Sequence, residues 1–408
     1  MDRGCIGGGQ VPYQDDDRAS TNTRVSQALK FVSTLPTTVW IVIVTATGLG
    51  GFLLVRALPF TGFNSTIYAA IGTYFREYGE LPAPDAVVGP DGIQGSYADF
   101  PAINLWMYRL LLGWESSEAW WAMYQILPTV IAAALLGTFG ARLGLNIAIA
   151  RLSSIIALGF ATYVAIPGED KTNFWWLPVI ALLVATTTAW GGAALMGLFA
   201  GWTGLAPLAV TLSAIGAHAK PAKRIALLVT SVLVAACAVL AVGDMTVTLW
   251  RNRAMRESSE AFWFSVWQFA GPMDFPLART VFVAVLSAAV LFTFARKLVT
   301  LPATLVTMMS ITLLASNSTV PTRVMMVLPL GVFIFHSVRI QLMYLGGILL
   351  WAVPIGLTML LNIGYEPSSN FALRACQVLW VNAPLLILVL AWARNLRHLP
   401  RTASATAP

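Results

Sequence analysis

Histidine and cysteine are scarce in this chain, with three of each among 408 residues. Cys5, Cys237 and Cys376 lie far apart, as do His218, His336 and His398, so none has metal-ligand spacing. Two of the cysteines fall inside apolar runs and read as small hydrophobes. Charge is scarce too: 11% of residues are charged and 57% hydrophobic, with a mean hydropathy of +0.73. A cleavable leader is not expected, because the opening residues are polar and the first apolar run is too long and too well flanked. Nucleic acid is not expected as a partner, although the net charge is +7. Basic residues of a membrane protein gather at cytoplasmic helix ends, which accounts for that excess.

Apolar runs fill the chain from Pro36 almost to its end. A helix crossing a bilayer needs roughly 20 mostly apolar residues, so the chain reads as an all-α, polytopic membrane protein. Expected spans are Thr37–Val55, Ala119–Phe139, Leu145–Ile166, Phe174–Trp190, Ile225–Trp250, Arg279–Phe294, Leu298–Ala315, Pro321–Phe335, Gln341–Ile363 and Leu373–Trp392. Read as a single span, Gly191–His218 would put Lys220, Lys223 and Arg224 outside. Read as a short hairpin turning near Trp202–Pro207, it puts them inside with Arg142, Arg151, Arg296, Lys297, Arg339 and the C-terminal basic tail. The expected topology has about 12 membrane segments and both termini cytoplasmic, in the plasma (cell inner) membrane. It divides the chain into a disordered N-terminal tail (1–35), a membrane domain (36–396) and a C-terminal tail (397–408).

The outer face then carries a long first loop, 58–118, a short acidic turn at 167–172 and a second long loop, 251–278. Within the first loop, Asn64–Gly79 has helical apolar spacing beside Arg76 and Glu77 and reads as a surface helix. The aromatic-rich Glu260–Gly271 suits a headgroup zone.

Ionisable groups at the edge of a span are functional candidates. The outer acids are Asp85, Asp91, Asp99, Glu169, Asp170 and Asp244. The first two, set among Pro and Gly, read as plain loop acids. Asp99 lies where "SYADFPAINLWMYRLLLG" (Ser96–Gly113) passes from polar to apolar. The outer cations are Lys171, Arg251, Arg253, Arg279 and Arg323. A carboxylate beside lipid, facing cations that hold a phosphate, suits group transfer from a lipid phosphate. The carboxylate takes a proton from an acceptor hydroxyl, and Arg and Lys stabilise the departing phosphate.

On those residues the chain resembles the GT-C superfamily of membrane glycosyltransferases, nearest to the polyprenol-phosphate-mannose-dependent mannosyltransferases. "YADFPAINLWMYRLLLG" is similar to their aromatic-Pro-Pro segment, "GGAALMGLFAGWTGLAP" to their short hairpin, and "PTRVMMVLP" (Pro321–Pro329) to a late Arg-containing span. The resemblance implies a GT-C-like fold with amphipathic helices in its outer loops. It also implies a polyprenyl-phosphate sugar donor, which serves as co-substrate with no cofactor, and a lipid or glycan acceptor; metal dependence stays open, with no dense carboxylate or His/Cys cluster arguing for a metal. The early loop acid of that family is here Asn64, near Tyr68 in "FNSTIY", and an amide is no general base. The base role passes to Asp99 or to the Glu169–Asp170 turn. Arg323, Arg279 and Lys171 would hold the donor phosphate, with Asn64, Tyr68, Tyr97 and Asp244 lining the pocket. Two further readings stay open, a multi-pass transporter or flippase and a polymerase of lipid-linked glycans. The central spans carry almost no charge and the halves show no inverted repeat, both unlike a transporter.

Overall fold

The computed structural model describes residues 23–57, 63–89, 92–95, 117–166, 171–203, 221–240, 264–269, 275–296, 298–316, 320–360 and 368–397. In chain order these form α1 (Thr23–Thr34), α2 (Thr37–Ala57), α3 (Phe63–Tyr78), the hairpin β1 (Val87–Val88) and β2 (Ile93–Gln94), and α4 (Ser117–Phe139). Then come α5 (Ile147–Ala165), α6 (Asn173–Ala185), α7 (Ala189–Thr203), α8 (Pro221–Leu240), α9 (Phe275–Ala295) and α10 (Leu301–Leu314). The last are α11 (Pro321–Val327), continued by a 3-10 turn at Leu328–Phe333, α12 (Val338–Leu360) and α13 (Phe371–Arg397).

Five of these helical stretches are long and apolar enough to cross a bilayer: Thr37–Ala57, Met123–Leu143, Ile147–Ala165, Val338–Ile355 and Phe371–Leu396. Among the described residues the fold is almost wholly α-helical, with several apolar helices of the kind that suits a membrane protein. Large apolar side chains on α2, α12 and α13 point outward, among them Val42 (66% exposed), Leu350 (74%) and Leu379 (66%). A wide exposed apolar face of this kind needs lipid or protein to cover it. The shorter α6 and α10 are hydrophobic all round and form the interior, as such helices must. Every residue of α10 from Pro302 to Leu314 is buried, and α6 buries Trp175, Leu177 and Leu182.

Local chemistry sets the boundaries. Asn146 starts α5 by accepting the Ala148 N–H at 2.9 Å, after Gly144 turns the chain in the left-handed region (φ 80°). Thr300 starts α10 by accepting the Ala303 N–H, with Pro302 in the first turn, where no backbone N–H is needed. The expected span Phe174–Trp190 is broken in two. The hydroxyls of Thr186 and Thr187 donate to the carbonyls of Leu183 (2.7 Å) and Val184 (2.9 Å), closing α6 and leaving Trp190 to α7. The span expected over Pro321–Phe335 likewise tightens to 3-10 geometry at Leu328, where Pro329 supplies no N–H. Helix α7 stops at Thr203, inside the expected turn, and the return arm lies outside the described residues. A helix, α1, also occupies the last part of the expected N-terminal tail.

The helices alternate in direction. Trp40 of α2 meets Gly137 of α4, and Gly48 meets Val130, so α2 and α4 run antiparallel. Gly51 meets Thr162 of α5 while Arg151 stacks on Trp40, so α2 and α5 run parallel. Ser153 near the start of α5 donates to Pro329 O at 2.8 Å, and Tyr163 near its end donates to Ile355 O, which sets α5 antiparallel to α11 and parallel to α12. The bundle therefore has two distinct ends.

At one end, called here the arginine end, lie α1, the starts of α2, α5, α10 and α12 and the last turns of α4, α9 and α13. It exposes Lys30, Arg142, Arg296, Arg339 and Arg394, and among the described residues it has no Asp or Glu. The opposite or loop end carries every described acid: Glu77, Glu80, Asp85 and Glu118. There α3 buries Ile71 and Phe75, one helical turn apart, and Gly89 (φ 72°) brings the hairpin against Ala70. The stretch Phe264–Phe269 is bound down at this end. The Ser265 hydroxyl donates to Ser316 O, the Trp267 indole N–H to Leu314 O, and the Asn382 amide to Phe264 O.

Candidate functional site at the loop end

Helices α4, α6 and α11 all start at the loop end, and α6 packs against both of the others. Thr172, the residue before α6, makes no cap bond to its own helix. Its hydroxyl instead donates to Gln125 Oε1 of α4 at 2.5 Å. Both side chains are buried, as are Asn173 at the first position of α6 and Thr322 near the start of α11. Gln125 Nε2, Asn173 Oδ1 and Thr322 Oγ1 are among the buried atoms here with no hydrogen-bond partner. Leaving a buried polar atom unbonded costs about 1–3 kcal/mol. These helix starts therefore hold hydrogen-bonding capacity that the fold itself does not use.

Charge adds to this. Lys171 immediately precedes Thr172, and Arg323 immediately follows Thr322, both half-buried. Neither α6 nor α11 has an acid in its first turn. Lys and Arg are side chains of the kind that receive phosphate or carboxylate, and each here is next in sequence to one of the buried hydroxyls. Arg279, also half-buried, is in the second turn of α9, whose main neighbour is α10.

The structure thus brings together the elements bearing two expected phosphate ligands, Lys171 and Arg323, from positions about 150 residues apart in the chain. Asn64 and Tyr68 fall within α3, as the apolar spacing predicts, with only their backbone described. Asp99, Tyr97, Glu169, Asp170 and Asp244 lie outside the described residues.

No family model, curated protein or solved structure matches this chain.

Gln125, Thr172, Asn173 and Thr322 were not singled out from the sequence. The available signal was position: each is an amide or hydroxyl at the first apolar turn of a span, beside a cation in two cases. Chemically, the cations suit a phosphate, and the amides and hydroxyls offer the mixed donors and acceptors that sugar hydroxyls require.

Proposed function

We propose that this protein is an integral membrane glycosyltransferase, moving a mannose-like sugar from a polyprenyl-phosphate donor to a lipid or glycan acceptor. The observation that carries the reading is the set of buried amides and hydroxyls with unused bonding capacity on three helices that start at the loop end, two of them next in sequence to Lys171 and Arg323. In this reading the arginine end is cytoplasmic, since its exposed charges are all positive, and both termini lie on that side. The loop end is extracytoplasmic, and about 12 membrane segments complete the topology.

The reaction needs a base, an electrophile and a leaving group. Asp99, or a carboxylate of the Glu169–Asp170 turn, takes the proton from the acceptor hydroxyl. The acceptor oxygen forms its bond to the anomeric carbon as the bond from that carbon to the phosphate oxygen breaks. The electron pair leaves with the lipid phosphate, and Lys171 and Arg323 stabilise the negative charge that accumulates there, with Arg279 a third candidate. Asn64, Tyr68, Tyr97 and Asp244 are assigned to the surrounding pocket. No cofactor takes part beyond the lipid-linked sugar.

The test uses the full chain reconstituted in proteoliposomes with radiolabelled polyprenyl-phosphate mannose and a membrane-extract acceptor. Labelled product should form with the wild type and be lost with Asp99→Asn or with the double variant Glu169→Gln/Asp170→Asn, whichever group is the base. Solute-dependent flux with no labelled product would favour the transporter reading and end this one. Long glycan products built from lipid-linked repeats, with no transfer of a single sugar, would favour the polymerase.

A further inference from the structure

We infer that α1 is a surface anchor, seated in the anionic headgroup zone of the leaflet at the arginine end. The inference needs only that the bundle sits in a bilayer and holds whatever reaction it performs. Helix α1, TRVSQALKFVST, contains Arg24 and Lys30 and no acid. Its exposed apolar residues Val25, Ala28 and Phe31 are spaced three apart and so share one stripe; Phe31 is 66% exposed and Val25 47%. Leu29 and Val32 belong to the same broad apolar arc and are half-buried, while α1 packs on α5, so the more exposed edge of the arc is the Ala28–Phe31 side. Ser26, Lys30 and Thr34 fall on the opposite, polar arc.

Three further observations name the occupant of that stripe. First, only Leu35 and Pro36 separate α1 from α2. The outward apolar side of α2 begins at Val39 (41% exposed) and Val42 (66%), so the stripe ends within a few residues of a face suited to acyl chains. Second, the corner between the helices is closed by specific bonds. Ser33 and Thr34 hydroxyls bond the Lys30 carbonyl, and Thr34 also bonds that of Phe31. The buried Arg151 guanidinium donates to the carbonyls of Val32 (2.5 Å) and Leu35 (3.0 Å). With its terminal carbonyls satisfied, α1 ends at the corner and does not run on into α2. Third, the exposed charges at this end are all cations among the described residues: Lys30, Arg142, Arg296, Arg339 and Arg394. An amphipathic helix with basic flanks, held beside a span, suits anionic lipid.

The full chain, with Cys5, Cys237 and Cys376 replaced by serine, would be placed in nanodiscs of phosphatidylethanolamine and phosphatidylglycerol. Phe31→Cys and Lys30→Cys would each carry a bimane label; both sites are exposed, and circular dichroism and elution profile would check folding. The Phe31 label should be quenched at least about twofold more by lipids spin-labelled near the headgroup than the Lys30 label, with the reverse order for aqueous iodide. Replacing the anionic lipid by phosphatidylcholine should weaken lipid quenching at Phe31 by about half. Equal iodide access at both sites would overturn the inference by placing the stripe in water. Protection of the Phe31 label from both quenchers would overturn it in favour of a protein partner or a second copy.

Discussion

The two ends of the bundle are both polar, yet they use polarity differently. At the arginine end, polar side chains bond the backbone of other elements. Arg151 ties the α1–α2 corner to α4 through Val32, Leu35 and Gly137 carbonyls. Gln341 bonds Val332 O and Phe335 O, and Asn395 bonds Ile334 O. At the start of α6, Gln125 and Thr172 bond one another, while Asn173 Oδ1 and Thr322 Oγ1 bond nothing. Unpartnered buried atoms occur at both ends, for example Trp40 Nε1 and Gln341 Oε1, so their number is not what separates them. The separation lies in what the bonded groups hold. The arginine end fastens helices together, as Ser265, Trp267 and Asn382 do for the stretch Phe264–Phe269 at the loop end, whereas the starts of α6 and α11 hold buried side chains with bonding capacity to spare, next in sequence to two cations.

That contrast breaks first, if it is wrong, under charge removal. Arg323→Ala or Lys171→Ala should lower sugar transfer in proteoliposomes by about 100-fold or more, the usual loss for one donor to a developing anion. Arg151→Met should do the opposite. It strips a charged donor from three carbonyls, one buried and two part-buried, and charge-assisted bonds contribute about 1.5–3 kcal/mol each, with losses that do not add fully. A net loss of about 3 kcal/mol is expected in denaturant titrations in detergent micelles, with little change in activity per folded molecule. Should Arg323→Ala unfold the protein as readily as Arg151→Met, the loop end is a fastening too.

Much of this fold is legible in the sequence, because the apolar runs are long and bounded by charge or by Pro and Gly. The starts of α2, α4 and α5 fall within two residues of the expected spans. The threonine run at 186–188 escaped notice because a hydropathy reading does not register hydroxyls bonding back to carbonyls. Helix α1 escaped because its polar arc lowers the average that marks a span. For the candidate site, Lys171 and Arg323 are visible as cations at span edges. The Gln125–Thr172 bond joins residues 47 apart, and no periodicity within either helix encodes it.

Packing gives a smaller and cleaner test of the arginine end. A Cβ at Gly137 would overlap the Trp40 indole, whereas one at Gly159 meets nothing within 4 Å. Both glycines are helical, so Ala at either position gains up to about 1 kcal/mol of helix propensity. At Gly137 that gain is opposed by displacing a nearly fully buried tryptophan (2% exposed), with overpacking of about 1–3 kcal/mol. Gly137→Ala should lower the unfolding midpoint and Gly159→Ala should leave or raise it.

The smallest effect on stability, and the sharpest on meaning, belongs to Gln125. Gln125→Leu keeps the volume roughly constant. It removes one hydrogen bond, worth about 1 kcal/mol, leaving the Thr172 hydroxyl without its acceptor. It also removes an unbonded buried Nε2, whose presence costs about as much. The two changes should nearly cancel, leaving stability within about 1 kcal/mol of the wild type. A group present only to fasten α4 to α6 would show its whole effect in the unfolding curve. A group held for a bound sugar would show it in the KM for the lipid-linked donor, which should rise while unfolding hardly moves. A variant with wild-type KM and markedly lower stability would place Gln125 with Arg151, among the side chains that hold helices together.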